Sequence, residues 1–317
     1  VISQQIMAKQ KDGAPSRVSR DGSARGCALA FAAGAVALWS TNALVGKSLL
    51  EHHPASLVQF LQFVGAALVF AAIRLMSQEK TSLRGGPVDV RAGLVPILVG
   101  LIGLVGTMVL QYIAFASMPV IEANLVAYTW PLMVAAAVIV LATARRPALL
   151  AIATAFGFIG VVLVISGGRH PSWSQGNVIG YASAFGSAVC MAFYSIAVGR
   201  LTISPERLLL PSALIGVVIT LLWCTNDAVA WHIEPDLFLG LYLGAGPMGL
   251  GYYFWSRAMK LDGGKVAVIA YLTPIASTLL LTLSGERLTV TAVVGAVLVI
   301  GSCIAVGTER SEAGNHA

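Results

Sequence analysis

The chain has 317 residues, 57% of them hydrophobic and only 11% charged, with mean hydropathy +0.83. Soluble domains carry about 25% charged residues, so a water-soluble fold is excluded and the lipid bilayer is the expected solvent and partner. The net charge of +6 does not imply a nucleic-acid partner, because the basic residues sit at the ends of apolar runs, where they set orientation.

In chain order, residues 1–25 form a polar, basic tail. No cleavable signal is expected, since the first apolar run is too long for a signal h-region. Apolar runs broken by short polar turns then predict ten spans. The first five are Cys27–Val45, Leu57–Met76, Gly93–Ala116, Val120–Leu141 and Leu149–Ser166. The second five are Ile179–Val198, Leu208–Asn226, Leu237–Met259, Val266–Leu283 and Val290–Val306. These lengths suit a hydrocarbon core of about 30 Å. The longest connection, around Ser77–Ala92, contains Gly85-Gly86-Pro87 and reads as a plain loop.

Two stretches organise these spans. Ala127-Tyr-Thr-Trp-Pro131 lies within the fourth and Ala270-Tyr-Leu-Thr-Pro274 within the ninth, 143 residues apart. The same offset aligns Gly106 with Gly249 and Tyr112 with Trp255. Five spans per half is an odd number, so the second half enters the membrane from the opposite side. The expected fold is therefore all-α, with ten transmembrane helices as two inverted five-helix repeats. The expected division is 1–25 tail, 26–168 first repeat, 169–308 second repeat and 309–317 short tail. A proline inside a helix has no N–H and clashes with the carbonyl four residues back. Pro131 and Pro274 are thus expected to free the carbonyls of Ala127 and Ala270 at mid-membrane depth, the pattern of a transporter's binding site.

Seventeen of the twenty Lys and Arg residues fall on the side of the N-terminus; only Lys47, Arg169 and Arg287 fall on the other. That asymmetry predicts cytoplasmic N- and C-termini. Recurring glycines such as Gly100, Gly103 and Gly106, Gly157 and Gly160, and Gly244, Gly246, Gly249 and Gly251 predict close helix contacts.

No Asp, Glu, His, Lys or Arg lies near the middle of any span, which argues against a buried proton relay or a highly charged substrate. Glu122 is the nearest, and reads either as an interfacial carboxylate in water or as a group at the outer gate. Aromatics occupy the middle instead: Trp39, Tyr112, Tyr128, Trp130, Tyr194, Tyr252, Tyr253, Trp255 and Tyr271. Each alone is ordinary packing. As a set on several helices they suggest a cavity with apolar walls and polar tips, suited to a flat, uncharged or zwitterionic solute. Asn42, Gln111, Asn124, Thr129 and Ser277 could supply hydrogen bonds. Cys27, Cys190, Cys224 and Cys303 lack CxxC spacing, so no disulfide or metal site is expected. His52 and His53 read as solvated loop residues. No enzyme motif is present.

Leu38-Trp-Ser-Thr41, Ile121-Glu122 leading to Tyr128-Thr-Trp130-Pro131, Gly249 to Tyr252 and Trp255, and Tyr271-Leu-Thr273-Pro274 with Ser277 resemble the drug/metabolite transporter superfamily, of the EamA-repeat kind. The likeness runs from about Arg25 to Val306 and is greatest to the YddG-type aromatic amino acid exporters. It implies a central cavity between the halves lined by Trp39, Tyr128, Trp130, Trp255 and Tyr271, and export of amino acids. The expected substrate contacts are Trp39, Tyr112, Glu122, Tyr128, Trp130, Pro131, Tyr252, Trp255, Tyr271 and Pro274. The expected function is export of aromatic or apolar amino acids across a bacterial inner membrane by alternating access. No cofactor and no obligate protein partner are expected. The alternatives are a transporter of the same fold for another neutral or cationic solute, and an intramembrane enzyme or lipid-handling protein.

Overall fold

The computed structural model describes residues 17–78, 91–118, 120–141, 146–168, 177–229, 234–262, 265–283 and 289–311. The tail before Arg17, the Gly85-Gly86-Pro87 loop, Arg145, Arg169, Trp231 and Arg287 lie outside the described residues. Among the described residues there is no strand. Helices occupy all ten expected spans and overrun most of them by a turn or less. The first is longer, running Arg17–Leu50. The second is Ala55–Gln78, the fifth Pro147–Ser166, the sixth Val178–Arg200, the seventh Pro205–Asn226 and the tenth Val290–Ser311.

The other four spans are not uniform α-helices, and their irregularities come in matched pairs. The third span is Arg91–Gly100, a π-helical segment Leu101–Gly106, then Thr107–Ser117. The eighth is Leu237–Leu243, a π-helical segment Gly244–Leu250, then Gly251–Asp262. The two π segments start 143 residues apart, the offset of the sequence repeat. The fourth span breaks at Tyr128-Thr129 between Val120–Ala127 and Trp130–Val140. The ninth opens with a 3₁₀ segment, Lys265–Tyr271, before Leu272–Leu283. Tyr271 is the repeat counterpart of Tyr128, so both breaks fall at the same register.

The halves interlock across the pseudo-two-fold axis. Span 1 packs on span 8 and span 3 on span 6, contacts that the repeat exchanges. Spans 2 and 7 pair across the axis, as do spans 5 and 10. The last contact is close because both helices present glycine. A Cβ on Gly160 would lie 2.6 Å from the Gly295 carbonyl oxygen, and one on Gly295 would lie 2.5 Å from that of Gly160. Large apolar side chains such as Leu68, Val140, Leu222 and Val297 point outward, which suits lipid and not water.

Gly167 closes the fifth span in the left-handed region, at φ 58°, and its N–H donates to the Leu163 carbonyl. That conformation suits a residue without Cβ. Asn177 caps the sixth span, its side chain accepting from the Gly180 N–H at 2.7 Å.

Candidate substrate cavity

The interrupted spans surround a cavity of about 1070 Å³. Each break brings small or aromatic residues to its wall. Ala127, Tyr128 and Trp130 come from the fourth span, and Ala270, Thr273 and Pro274 from the ninth. Thr107, Met108, Gln111 and Tyr112 follow the π segment of the third; Leu243, Pro247, Met248 and Tyr252 flank or belong to that of the eighth. The wall rises past Leu50, Glu51, Gly167 and Thr289, so the cavity opens at the end of the bundle opposite the termini. Toward the termini it stops at the level of Trp39 and Tyr252. Below that level Phe31 and Phe254 pack with ring centres 5.8 Å apart, and the Arg257 guanidinium sits 5.7 Å from the Phe31 ring.

Of the expected contacts, Trp39, Tyr112, Tyr128, Trp130, Tyr252 and Pro274 line this cavity. Trp39 is held there by its indole N–H, which donates to the Pro247 carbonyl at 2.9 Å. That acceptor belongs to the π segment, where the regular i to i−4 pairing is interrupted. Trp39 also packs on Tyr252, with ring centres 6.0 Å apart. Polar groups share the wall: Asn42, Gln111 and Asn124, with Gln111 Nε2 donating to Asn124 Oδ1 at 3.4 Å, and Ser277 and Thr278. Thr129 does not line it; its hydroxyl donates to the Val126 carbonyl.

Four expected contacts lie elsewhere. Trp255 is fully buried behind the wall. Its indole N–H donates to Ser195 Oγ at 3.0 Å, and its ring supports Trp39 and Trp130 at 5.3 and 5.4 Å. Tyr271 is also fully buried and packs toward the fifth span, where a Cβ on Gly157 would come within 2.7 Å of its ring. Glu122 is only 2% exposed and accepts from the Tyr181 hydroxyl at 3.2 Å. It is a buried carboxylate of the fourth span that faces its partner on the sixth, not a water-facing one. Pro131 is buried outside the lining.

The prolines themselves need correction. Pro131 is the second residue of Trp130–Val140 and Pro274 the third of Leu272–Leu283. Both start a half-helix instead of kinking a continuous one. Near a helix start the loss of one N–H costs little, and the fixed φ suits the helix. Neither can donate to the carbonyl four residues back, at Ala127 or Ala270, and both alanines line the cavity. Pro131→Ala and Pro274→Ala should each change folding stability by less than about 1 kcal/mol, not give the gain of about 3 kcal/mol expected for an interior proline. Thermal melts in detergent check this.

His53 is not solvated either. Its side chain is 10% exposed, and Nε2–H donates to Asp236 Oδ2 at 2.8 Å, with Glu234 at 4.0 Å. That hydrogen bond, with a smaller opposing effect of burial, holds the Asp236 carboxyl below its usual range. It ties the first loop to the start of the eighth span.

The comparison with known proteins bears on both halves. The EamA-like transporter family matches residues 26–166 and again 178–308. The chain belongs to the EamA-like transporter family. Among curated proteins this EamA-like transporter is 31% identical to an aromatic amino acid exporter, YddG, of Ancylobacter novellus, over 79% of the chain and 86% of the relative. Its structure is similar to that of a protein of known crystal structure, with TM-score 0.76 and 28% identity, covering 90% of this chain and 99% of the other. The EamA-like transporters belong to the drug/metabolite transporter superfamily, and the ten helices in two inverted repeats are its fold.

Sequence reading had passed over Gln59 and Gln62 of the second span, which are wholly buried and reach Tyr112 through hydrogen bonds. The signal was there: two amides three residues apart in an apolar span, on one helix face. It had also passed over Glu51, the one acidic or basic side chain among the described lining residues, at the cavity mouth.

Proposed function

We propose that this EamA-like transporter exports aromatic and other apolar amino acids from the cytoplasm across a bacterial inner membrane, by alternating access between the halves 26–168 and 169–308. The observation that carries the reading is the cavity wall. Trp39, Tyr112, Tyr128, Trp130 and Tyr252 surround a space large enough for an indole, with amides and hydroxyls beside them. Such a wall suits a flat ring that carries a compact zwitterion. The likeness to the Ancylobacter novellus exporter supports the same substrate class. Counterflow in proteoliposomes tests it, with labelled tryptophan, phenylalanine, alanine and glutamate. Tryptophan and phenylalanine should exchange fastest and glutamate not at all. Equal exchange of all four would sink the reading.

Glu51 at the mouth favours one second reading, a cationic solute of similar shape, since a carboxylate attracts cations. An aromatic amine such as tryptamine in the same panel separates the two.

The charge asymmetry supports cytoplasmic termini, so the open end of the cavity would face the periplasm. A reporter active only outside the cytoplasm, fused to Ala317, should stay silent. Activity would reverse the orientation, and with it the direction of transport.

At the half-helix starts, the carbonyls of Ala127 and Ala270 are suited to accept from the substrate ammonium, as unwound backbone does in other transporters. Flux by Pro131→Ala and Pro274→Ala should fall although stability holds. Normal flux in both would assign the two breaks to packing alone.

A further inference from the structure

The second span contributes no residue to the cavity lining, yet it carries two buried amides aimed at a residue that does. Gln59 and Gln62 are both fully buried. Gln59 Nε2 donates to Gln62 Oε1 at 2.5 Å, and Gln62 Nε2 donates to the Tyr112 hydroxyl oxygen at 2.8 Å. The chain of donors runs one way and ends at the cavity wall. There the Tyr112 hydroxyl lies beside Gly46 of the first span, itself a lining residue.

The arrangement is not a requirement of the fold. The seventh span, the repeat counterpart of the second, contains no glutamine. Nor is it arranged for stability, because Gln59 Oε1 is buried with no hydrogen-bond partner among the described residues. Burying an amide in apolar surroundings is unfavourable, and leaving one of its acceptors unmet adds to the cost. A tyrosine oxygen that accepts from an amide keeps its own O–H for donation.

We propose that Gln62, oriented by Gln59, is a positioning residue that presents Tyr112 as a hydrogen-bond donor to the carboxylate of the transported solute. No described lining residue is cationic, so neutral donors must receive that carboxylate. Hydrogen bonds to an ionised acceptor are stronger than neutral ones. An amide that occupies the tyrosine's acceptor site selects for an acceptor on the solute and against a donor there. The inference rests on the amino-acid reading above and adds the recognition of one end of the solute.

The experiment uses purified full-length protein in proteoliposomes and three indoles as competitors of labelled solute: tryptophan, indole-3-propionate, which keeps only the carboxylate, and tryptamine, which keeps only the ammonium. Gln62→Met, close in shape, should weaken tryptophan and indole-3-propionate about five- to ten-fold, the scale of weakening one hydrogen bond to a charged group. Tryptamine should be unchanged, and maximal flux nearly so. In a Tyr112→Phe background the same change should add nothing. Gln59→Met should give the same pattern at smaller amplitude, and it carries the test if Gln62→Met fails to fold. An equal loss for tryptamine and tryptophan, or an undiminished Gln62 effect without the Tyr112 hydroxyl, would overturn the inference alone. A wild type that takes none of the three indoles would overturn the function reading, and the inference with it.

Discussion

Gly160→Val should leave almost no folded protein, and Gly295→Val should do the same. At this crossing of the fifth and tenth spans, each glycine's missing Cβ would fall 2.5–2.6 Å from a carbonyl oxygen of the other helix. The obstacle is backbone, which cannot rotate away as a side chain can. A Cβ on Gly160 would also meet Val299, at 2.8 Å from Cγ2 and 3.0 Å from the backbone nitrogen. Overpacking a core usually costs about 1–3 kcal/mol, and here relief requires separating two membrane helices whose association depends on that close approach. Gly301, on the same tenth span, has nothing within 4 Å of the place a Cβ would occupy. Gly301→Val should therefore express and melt like the wild type. The check is monodisperse yield and melting midpoint for all three variants. Normal yield of Gly160→Val would mean that the two spans do not cross there.

The second large effect separates the cavity wall from its support. Trp39→Ala and Trp130→Ala should weaken apparent affinity for tryptophan by about several-fold to some tens-fold, while alanine is carried nearly as before. Each ring contact is worth about 0.5–1.5 kcal/mol beyond the area it buries, and only an aromatic solute can make it. Trp39 carries a further bond, from its indole N–H to the Pro247 carbonyl. Trp39→Phe should therefore keep part of the ring contact and still lose some flux. Trp255→Ala should behave differently. Its side chain is fully buried, bonded to Ser195 and wedged behind Trp39 and Trp130. Truncating a buried tryptophan costs about 3–5 kcal/mol, so this variant should lose stability and fail for every solute alike. Competition curves for tryptophan and alanine, read with melting midpoints, distinguish the two behaviours.

That contrast marks how far the sequence reaches. Depth along a span is legible, because hydropathy and the positions of charges fix where the membrane lies. It placed Trp39, Tyr128, Trp130 and Trp255 together at mid-bundle. Azimuth is not legible in a chain apolar on nearly every side, because the amphipathic stripe that tells core from solvent in a soluble helix is missing. Trp255 and Tyr271 therefore read like Trp39, although they face protein and not the cavity. Glu122 stayed ambiguous for the same reason. Its shallow depth left both water and the outer gate open, and only packing shows that it turns to Tyr181 of the sixth span.

The repeat was legible through Ala127-Tyr128 to Pro131 and its counterpart, and the breaks do fall there. Their form was not, since one proline signature serves both an interior kink and a first turn. The paired π segments share no signature beyond glycines already explained by close packing; Pro247 marks only the one in the eighth span. Gln59 and Gln62 stand out as amides in an apolar span, but only the structure shows them buried. Their target, Tyr112, lies 50 residues from Gln62, and without the fold nothing joins them.

The solute should bind in the aromatic-walled cavity. Equilibrium binding of labelled tryptophan to the purified protein tests this most directly, comparing the wild type with Asn124→Trp and Ser277→Trp. Both positions are part-exposed in the lining, so these changes put a bulky ring into the cavity from two different half-helices. Saturable tryptophan binding by the wild type, displaced by phenylalanine but not by glutamate, and absent from both variants while they melt normally, is the predicted result. Undiminished binding by both folded variants would place the site elsewhere and contradict the account.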